Sequence, residues 1–314
     1  MRRTLIALIA GILVLSISPA YAYWIWTPKT GKWINPKSAV KSTPTGQFAF
    51  AKGQYDIKKY KEAEREFRKL LKAYPKSFEA AESQYYLGLI EDAKGNLYGA
   101  YEAYQKVIDK YPFSEKIPQI IEREYNIAEE FMSGEKRKAM GVPLPVENPA
   151  IEIFSKVIDN STYGPWAPAA QYKLGLVLKG LLRYYEAEEA FDKVISNYPD
   201  SQWAAPAKFQ IASCRAAVSR GPEYDQWAAS EAREKFEEFV QEHPDAVLSQ
   251  EAEKNIEALK EKEAQANFDI ARFYEKQKAY DAARIYYNQV ISEYPNSELA
   301  AKAQGGLQML EKKK

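Results

Sequence analysis

Six aromatic residues recur at one spacing. Phe48, Tyr85, Tyr125, Tyr172, Phe209 and Phe268 each stand three residues ahead of a small residue: Ala51, Gly88, Ala128, Gly175, Ala212 and Ala271. Rings repeated in this way offer wide contact area with little rotamer entropy to lose, which suits holding an extended or unfolded aromatic-rich peptide. The same rings would equally serve as packing between neighbouring elements, and the spacing leaves both readings open. Met132, with Lys52 and Glu129, flanks the series and completes the candidate groove. Bond-making chemistry finds little to work with. The one histidine, His243, stands before Pro244 where other copies of the phrase have Tyr, and reads as filler. The one cysteine, Cys214, lies in "QIASCRAAV" on or near a packed face and reads as a buried small residue. Acidic pairs such as Glu129/Glu130 and Glu188/Glu189 are adjacent on solvated helix faces. No metal-ligand cluster, P-loop or nucleophile elbow is found in the sequence. The expectation is a binding protein with no catalytic residue, cofactor or metal.

The elements that must position these rings are legible from a returning phrase. It reads "KAYPKSFEAA" (72–81), "DKYPFSEKIP" (109–118), "SNYPDSQWAA" (196–205) and "SEYPNSELAA" (292–301), with "QEHPDAVLSQ" (241–250) a degenerate copy. Six copies fall into register on a 34-residue helix–turn–helix template. A second small residue opens each second helix: Ala63, Ala100, Ala150, Ala187, Ala232 and Ala283. Four residues later comes an aromatic: Phe67, Tyr104, Phe154, Phe191, Phe236 and Tyr287. Two antiparallel helices approach closely only where side chains are small, and an aromatic one turn on fills the space between them. Pro75, Pro112, Pro199, Pro244 and Pro295 close five copies, because proline lacks an N–H and disfavours helix in the residue before it. The third copy is displaced and uses Pro165. Ser77, Ser114, Ser201 and Ser297 stand where an N-cap is expected. One such unit cannot bury both faces, so neighbours must stack. The expected fold is all-α, a tetratricopeptide-repeat superhelix of about six helix–turn–helix repeats.

The expected layout is a signal peptide at 1–22, an aromatic segment at 23–43, repeats 1–4 over 44–201 and repeats 5–6 over 202–297. A capping helix with a basic tail occupies 298–314. The third copy spaces its small residues 22 apart instead of 12, through an insertion at 133–148, and the fifth 20 apart, through "SRGPEYDQW" (219–227). Residues 249–277 contain no breaker and predict one helix of about 40 Å, a strut joining two pieces of the array.

At the N-terminus, Arg2 and Arg3 precede thirteen apolar residues, Leu5–Ile17, and an Ala20-Tyr21-Ala22 cleavage pattern. Thirteen residues are too short for a bilayer span of about 20, so cleavage and export are expected, with an uncleaved anchor as the rival reading. Without Arg2 and Arg3 the chain has 42 basic against 43 acidic residues, which gives no reason to expect nucleic acid as a partner. A single cysteine precludes an intramolecular disulfide, and none stands after the apolar run to be acylated. "WIWTPKTGKWIN" alternates about a turn as a short hairpin would, with Trp24 and Trp26 on one face and Trp33 across from them. Docking on the first repeat, on a partner or on a membrane interface is open to it, in that order of expectation.

Exported repeats of this kind, with "SEAREKFEEFVQEHPDAVLSQEAEKNIEALKEKEAQANFDIARFYEKQKAYDAARIYYNQVISEYPNS" at 230–297, resemble the BamD (ComL/YfiO) family; residues 45–112 are similar to its opening repeat pair. The resemblance implies a periplasmic scaffold associated with the outer membrane. It further implies that the C-terminal half contacts the periplasmic domains of the β-barrel assembly core protein, and that the N-terminal half recognises unfolded outer-membrane proteins. The family's acylated Cys is missing here, and six copies replace its usual five. A periplasmic organiser of the Tol-Pal or cell-division type and a generic peptide-binding repeat module are the alternatives.

Overall fold

The computed structural model describes residues 24–28, 31–35, 39–139, 142–143, 148–219 and 226–311. The expected signal peptide, part of the 133–148 insertion and the last three residues of the basic tail lie outside them. The chain forms two compact units, dividing between Lys94 and Gly95.

The first unit carries β1 (Ile25–Thr27) and β2 (Lys32–Ile34), then α1 (Pro44–Asp56), α2 (Tyr60–Ala73) and α3 (Phe78–Ala93). The strands pair antiparallel with Trp26 opposite Trp33. Helix α2 packs on both its neighbours, and α1 also meets α3, which is the stacking expected of tandem helix hairpins. Ala51, Ala63, Phe67, Leu70 and Ile90 are fully buried between them.

The second unit carries α4 (Leu97–Lys110), α5 (Ile117–Met132), α6 (Pro149–Asn160), α7 (Ala167–Gly180), α8 (Tyr184–Asn197), α9 (Ala204–Val218), α10 (Gln226–Glu242), α11 (Ser249–Lys276), α12 (Tyr280–Glu293) and α13 (Glu298–Glu311). A small ribbon, β3 (Lys138–Ala139) with β4 (Val142–Pro143), lies within the insertion. Each helix packs on the next in sequence, and α4 meets α6 as α11 meets α13. The architecture is all-α tetratricopeptide-repeat, with thirteen helices among the described residues.

The repeat positions have the physical roles their residue types dictate. A Cβ on Gly175 would come within 2.6 Å of the Phe191 ring, so this crossing is closed tightly by the aromatic of its own repeat. Second helices end before Tyr74, Tyr111, Tyr198, His243 and Tyr294, each preceding a proline and each returning its N–H to a carbonyl four residues back. Where the spacing is 12, the connection between the two helices contains one left-handed residue: Lys58 (φ 59°), Gly95 (φ 71°), Leu182 (φ 61°) and Lys278 (φ 61°). Only Gly95 takes that conformation without steric cost. The next N–H closes a six-residue ring on the helix end, as from Lys59 to Gln54 and from Arg183 to Leu178.

Two expectations need correction. The serines do not cap as proposed. Ser77 and Ser297 have buried hydroxyls with no hydrogen-bond partner, while Ser114 and Ser201 sit two residues early and accept the N–H of Lys116 (3.3 Å) and Trp203 (3.4 Å). The side-chain caps are instead Thr43 on α1, Asn96 on α4 and Asn148 on α6. The long helix α11, 28 residues and about 42 Å, is no bare strut either. Ala252, Ile256 and Leu259 complete the core of α9 and α10, and Ala264 and Ala271 join the core of α12 and α13.

Candidate functional site

In the first unit the recurring ring is open. Phe48 is half-buried, 5.8 Å from Phe67 and 5.6 Å from Tyr86 between ring centroids. Tyr86 stacks on Phe67 at 5.2 Å and meets Tyr55 edge-on at 5.0 Å; Tyr55 in turn meets Tyr60 at 5.7 Å. Tyr85, also half-buried, adjoins Tyr86 at 6.1 Å. Helices α1, α2 and α3 thus present a continuous patch of partly covered rings, edged by the exposed Lys52–Asp56 pair (2.9 Å). Burial pushes the Tyr55, Tyr85 and Tyr86 hydroxyls above the ordinary range, so these rings stay neutral.

In the second unit the same position is closed for three of the four rings. Tyr125 is 5% exposed, held between Phe154 (5.8 Å) and Trp166 (4.8 Å). Tyr172 is 8% exposed, between Phe191 (5.5 Å) and Trp203 (4.9 Å). Phe209, 4% exposed, packs on Phe236 and Phe239. These three are packing rings, and a groove lined by their faces does not exist. Phe268 is half-buried on Tyr287, and Met132 stands exposed at the end of α5.

The polar groups beside these rings take over the surface. Lys173 pairs with Glu129, which also accepts the Tyr125 hydroxyl at 3.5 Å. Burial alone would lower Lys173, and the Glu129 carboxylate raises it instead. Arg215 bridges Glu188 and Glu231, Arg233 bridges Glu263 (3.1 Å) and Glu237 (3.2 Å), and Lys208 pairs with Glu242. Lys179 differs from these, donating to Gln210 Oε1 (2.6 Å) and Ser213 Oγ (2.7 Å).

One set of structural residues beside these rings was missed in the sequence although its signal was present. Four residues ahead of the small residue stands a buried polar side chain in Gln47, Gln84, Glu124, Gln171 and Asn267. Gln47 and Gln171 each donate to a second-helix carbonyl nineteen residues on, Glu66 and Ala190, both at 3.0 Å. In the third copy the residue is a glutamate, which lacks the amide N–H to donate to such a carbonyl. Glu124 accepts from Gln105 Nε2 (2.8 Å), and its other oxygen has no partner. Burial pushes its carboxyl up to about 8, with the Gln105 amide opposing and Asp109 adding to the rise. The insertion itself places the Arg137 guanidinium 3.6 Å from the Tyr98 ring centre, while the Tyr98 and Tyr101 hydroxyls donate to Glu152.

The N-terminal tryptophans form the hairpin pair, Trp26 and Trp33 lying 5.7 Å apart between ring centroids. Trp24, Trp26 and Trp33 remain 57%, 47% and 62% exposed, so the expected docking of these rings on the first repeat is not found. A two-stranded ribbon of three-residue strands buries too little area to hold large rings against a helix. Cys214 is buried, its thiol pushed up to about 11 by burial. Among the described residues no group of His, Cys, Asp and Glu could hold a metal, and no helix is long and apolar enough to cross a membrane.

Residues 216–313 match the family model of the outer membrane lipoprotein YfiO. Residues 48–115 and 169–201 match two tetratricopeptide-repeat models. Comparison with curated proteins finds no match. Among solved structures, the C-terminal part of a TPR repeat-containing protein from Cytophaga hutchinsonii is 19% identical at a TM-score of 0.37, covering 83% of this chain and 87% of that one. A tetratricopeptide repeat protein from Parabacteroides merdae is 16% identical at a TM-score of 0.35, covering 83% and 96%. PilF from Pseudomonas aeruginosa is 16% identical at a TM-score of 0.30, covering 84% and 97%. The chain is an all-α tetratricopeptide-repeat protein whose C-terminal third is similar to the YfiO, BamD-like, outer membrane lipoprotein family.

Proposed function

We propose that this protein is a cell-envelope scaffold at the outer membrane that serves the assembly of β-barrel proteins. The match of residues 216–313 to an outer membrane lipoprotein family carries this reading. In it, helices α10 to α12 hold the periplasmic domains of the assembly core protein, and the open aromatic patch of α1 to α3 receives unfolded outer-membrane clients. The half-buried Phe48, Tyr55 and Tyr86 support that division, since rings already positioned by one another lose little entropy on binding.

The test is an affinity pull-down of the mature chain from detergent-solubilised envelopes, with partners identified by mass spectrometry. Recovery of the barrel-assembly protein is the expected result. Recovery of Tol-Pal components or wall-synthesis enzymes in its place would overturn the reading in favour of an envelope organiser.

A further inference from the structure

The tryptophan hairpin ahead of α1 presents large rings to solvent from a very small ribbon. Trp26 and Trp33 stand opposite each other across the strands, and Trp24, two residues before Trp26, shares their face. They are 47%, 62% and 57% exposed, and Ile25, on the other face, is 47% exposed as well. An element docked by one face onto protein hides that face. A ribbon apolar on both faces suits insertion among lipid headgroups, where tryptophan is enriched. Area points the same way. Three rings exposed to this degree offer roughly 400 Å², about half of what each partner buries in a stable protein interface.

Charge supplies the second observation. Between Tyr23 and Tyr55 the chain has five lysines and no acidic residue. From Tyr23 to the end of the first unit at Lys94, fourteen basic residues stand against eight acidic; from Gly95 onward, twenty-eight stand against thirty-five. The near-neutral balance of the whole chain hides this division. A bilayer with anionic headgroups attracts the first unit and repels the second. Lys41 ties the segment to the first repeat: its N–H donates to Gln47 Oε1 (2.9 Å), and its carbonyl accepts the Tyr74 hydroxyl (2.7 Å). Its ammonium lies 4.7 Å from the ring centre of Phe50, itself 41% exposed, so an exposed ring with a cation beside it recurs there.

We propose that the hairpin of β1 and β2 is a membrane-interface element, which inserts Trp24, Trp26 and Trp33 among the headgroups of an anionic phospholipid bilayer. The lysines of the segment hold it there electrostatically. The inference deepens the location given in the proposed function and rests on that reading only for which membrane the chain meets. The partners that a pull-down recovers do not bear on it, and a failure of lipid binding leaves the assembly partner as the means of retention.

The experiment is flotation of the full mature chain with two kinds of vesicle: phosphatidylcholine alone, and phosphatidylcholine with about 30 mol% phosphatidylglycerol. The anionic vesicles should bind the chain at least about tenfold more strongly than the neutral ones. The triple variant Trp24→Ser, Trp26→Ser, Trp33→Ser should bind anionic vesicles at least about tenfold more weakly, with an unchanged melting temperature because the rings are exposed. Lipid brominated near the headgroup should quench the tryptophan fluorescence of the wild type. That quenching should vanish in the triple variant, although Trp227, 68% exposed, remains. No binding to either vesicle, equal binding to both, or binding and quenching unaltered in the triple variant would each overturn the proposal. So would a wild-type dimer in sedimentation that the triple variant loses, which assigns the rings to a second copy. A fall in the melting temperature of the triple variant would return the rings to the fold and overturn it as well.

Discussion

The ring three residues ahead of the helix crossing is half-buried in the first unit and sealed over most of the second. Phe48 meets only rings of its own neighbourhood, whereas Tyr125 and Tyr172 are each covered by a tryptophan, Trp166 and Trp203, at the start of the following first helix. At the corresponding place in the first unit stands Glu79, which accepts the Thr45 hydroxyl instead. At these positions the residue at the head of the next helix separates a closed ring from a half-buried one, while Phe209 is closed by Phe236 and Phe239 of its own repeat. The buried carboxylates tell the same story with the units reversed. Glu66 receives Lys69 (2.8 Å) and Gln47 (3.1 Å), which hold it below the usual range although burial alone would raise it. Glu124 has no cation and one oxygen without a partner. The first unit pairs its buried carboxylate with a cation beneath an open aromatic surface; the second is largely aromatic-sealed, with the Glu124 carboxylate under-satisfied.

The comparison is most easily broken by truncating the rings. Tyr172→Ala empties a closed site and should cost about 3–4 kcal/mol in urea denaturation, and Phe48→Ala about half as much. Equal losses would mean the two positions are packed alike. Next comes Glu124→Gln, which restores the residue type of Gln47 and Gln171. A carboxyl whose folded value is raised holds its proton more tightly in the folded chain, so its favourable contribution is full below the ordinary 4.5 and is lost as pH rises toward about 8. The wild type should therefore lose stability between pH 5 and 8, on the order of 2 kcal/mol, and the variant should not. A variant with an unchanged pH profile would show that Glu124 is not the titrating group. Gly175→Ala drives a methyl into the Phe191 ring and should cost about 1–3 kcal/mol, most simply followed as a fall in melting temperature. The smallest effect is expected from Lys58→Gly and Leu182→Gly, one in each unit. Relief of the left-handed conformation should raise stability by about 0.5 kcal/mol in both, and a loss in either would show that the side chain, not the turn, dominates there.

Much of the architecture is local and was therefore readable. The twelve-residue spacing, the small residues at the crossing and the Tyr-Pro stops all act within one hairpin, and the long helix is simply a stretch without a breaker. What escaped reading depends on residues distant in sequence. Exposure of Tyr125 and Tyr172 is set by tryptophans 41 and 31 residues later, so the ring's own repeat cannot reveal it. The role of α11 as shared core rather than strut depends on which face meets α9 and α10, and its apolar positions, Ala252, Ile256 and Leu259, were in view. The Gln47–Gln84–Glu124–Gln171 series was equally legible and overlooked, because polar residues on a buried stripe look like breaks in the pattern rather than pins between helices. The N-terminal hairpin was read from alternation, but alternation says nothing of what covers the exposed Trp24, Trp26 and Trp33.

The central claim is that unfolded clients meet the open rings of the first unit and not the sealed rings of the second. Photo-crosslinking of the full mature chain with a benzophenone-bearing, C-terminally amidated peptide of alternating aromatic and polar residues, mapped by mass spectrometry, tests it most directly. The account predicts crosslinks within residues 44–93, around Phe48, Tyr55 and Tyr86, that fall away in Phe48→Ala. Crosslinks gathered at Tyr125, Tyr172 and Phe209, or unaffected by Phe48→Ala, would contradict it.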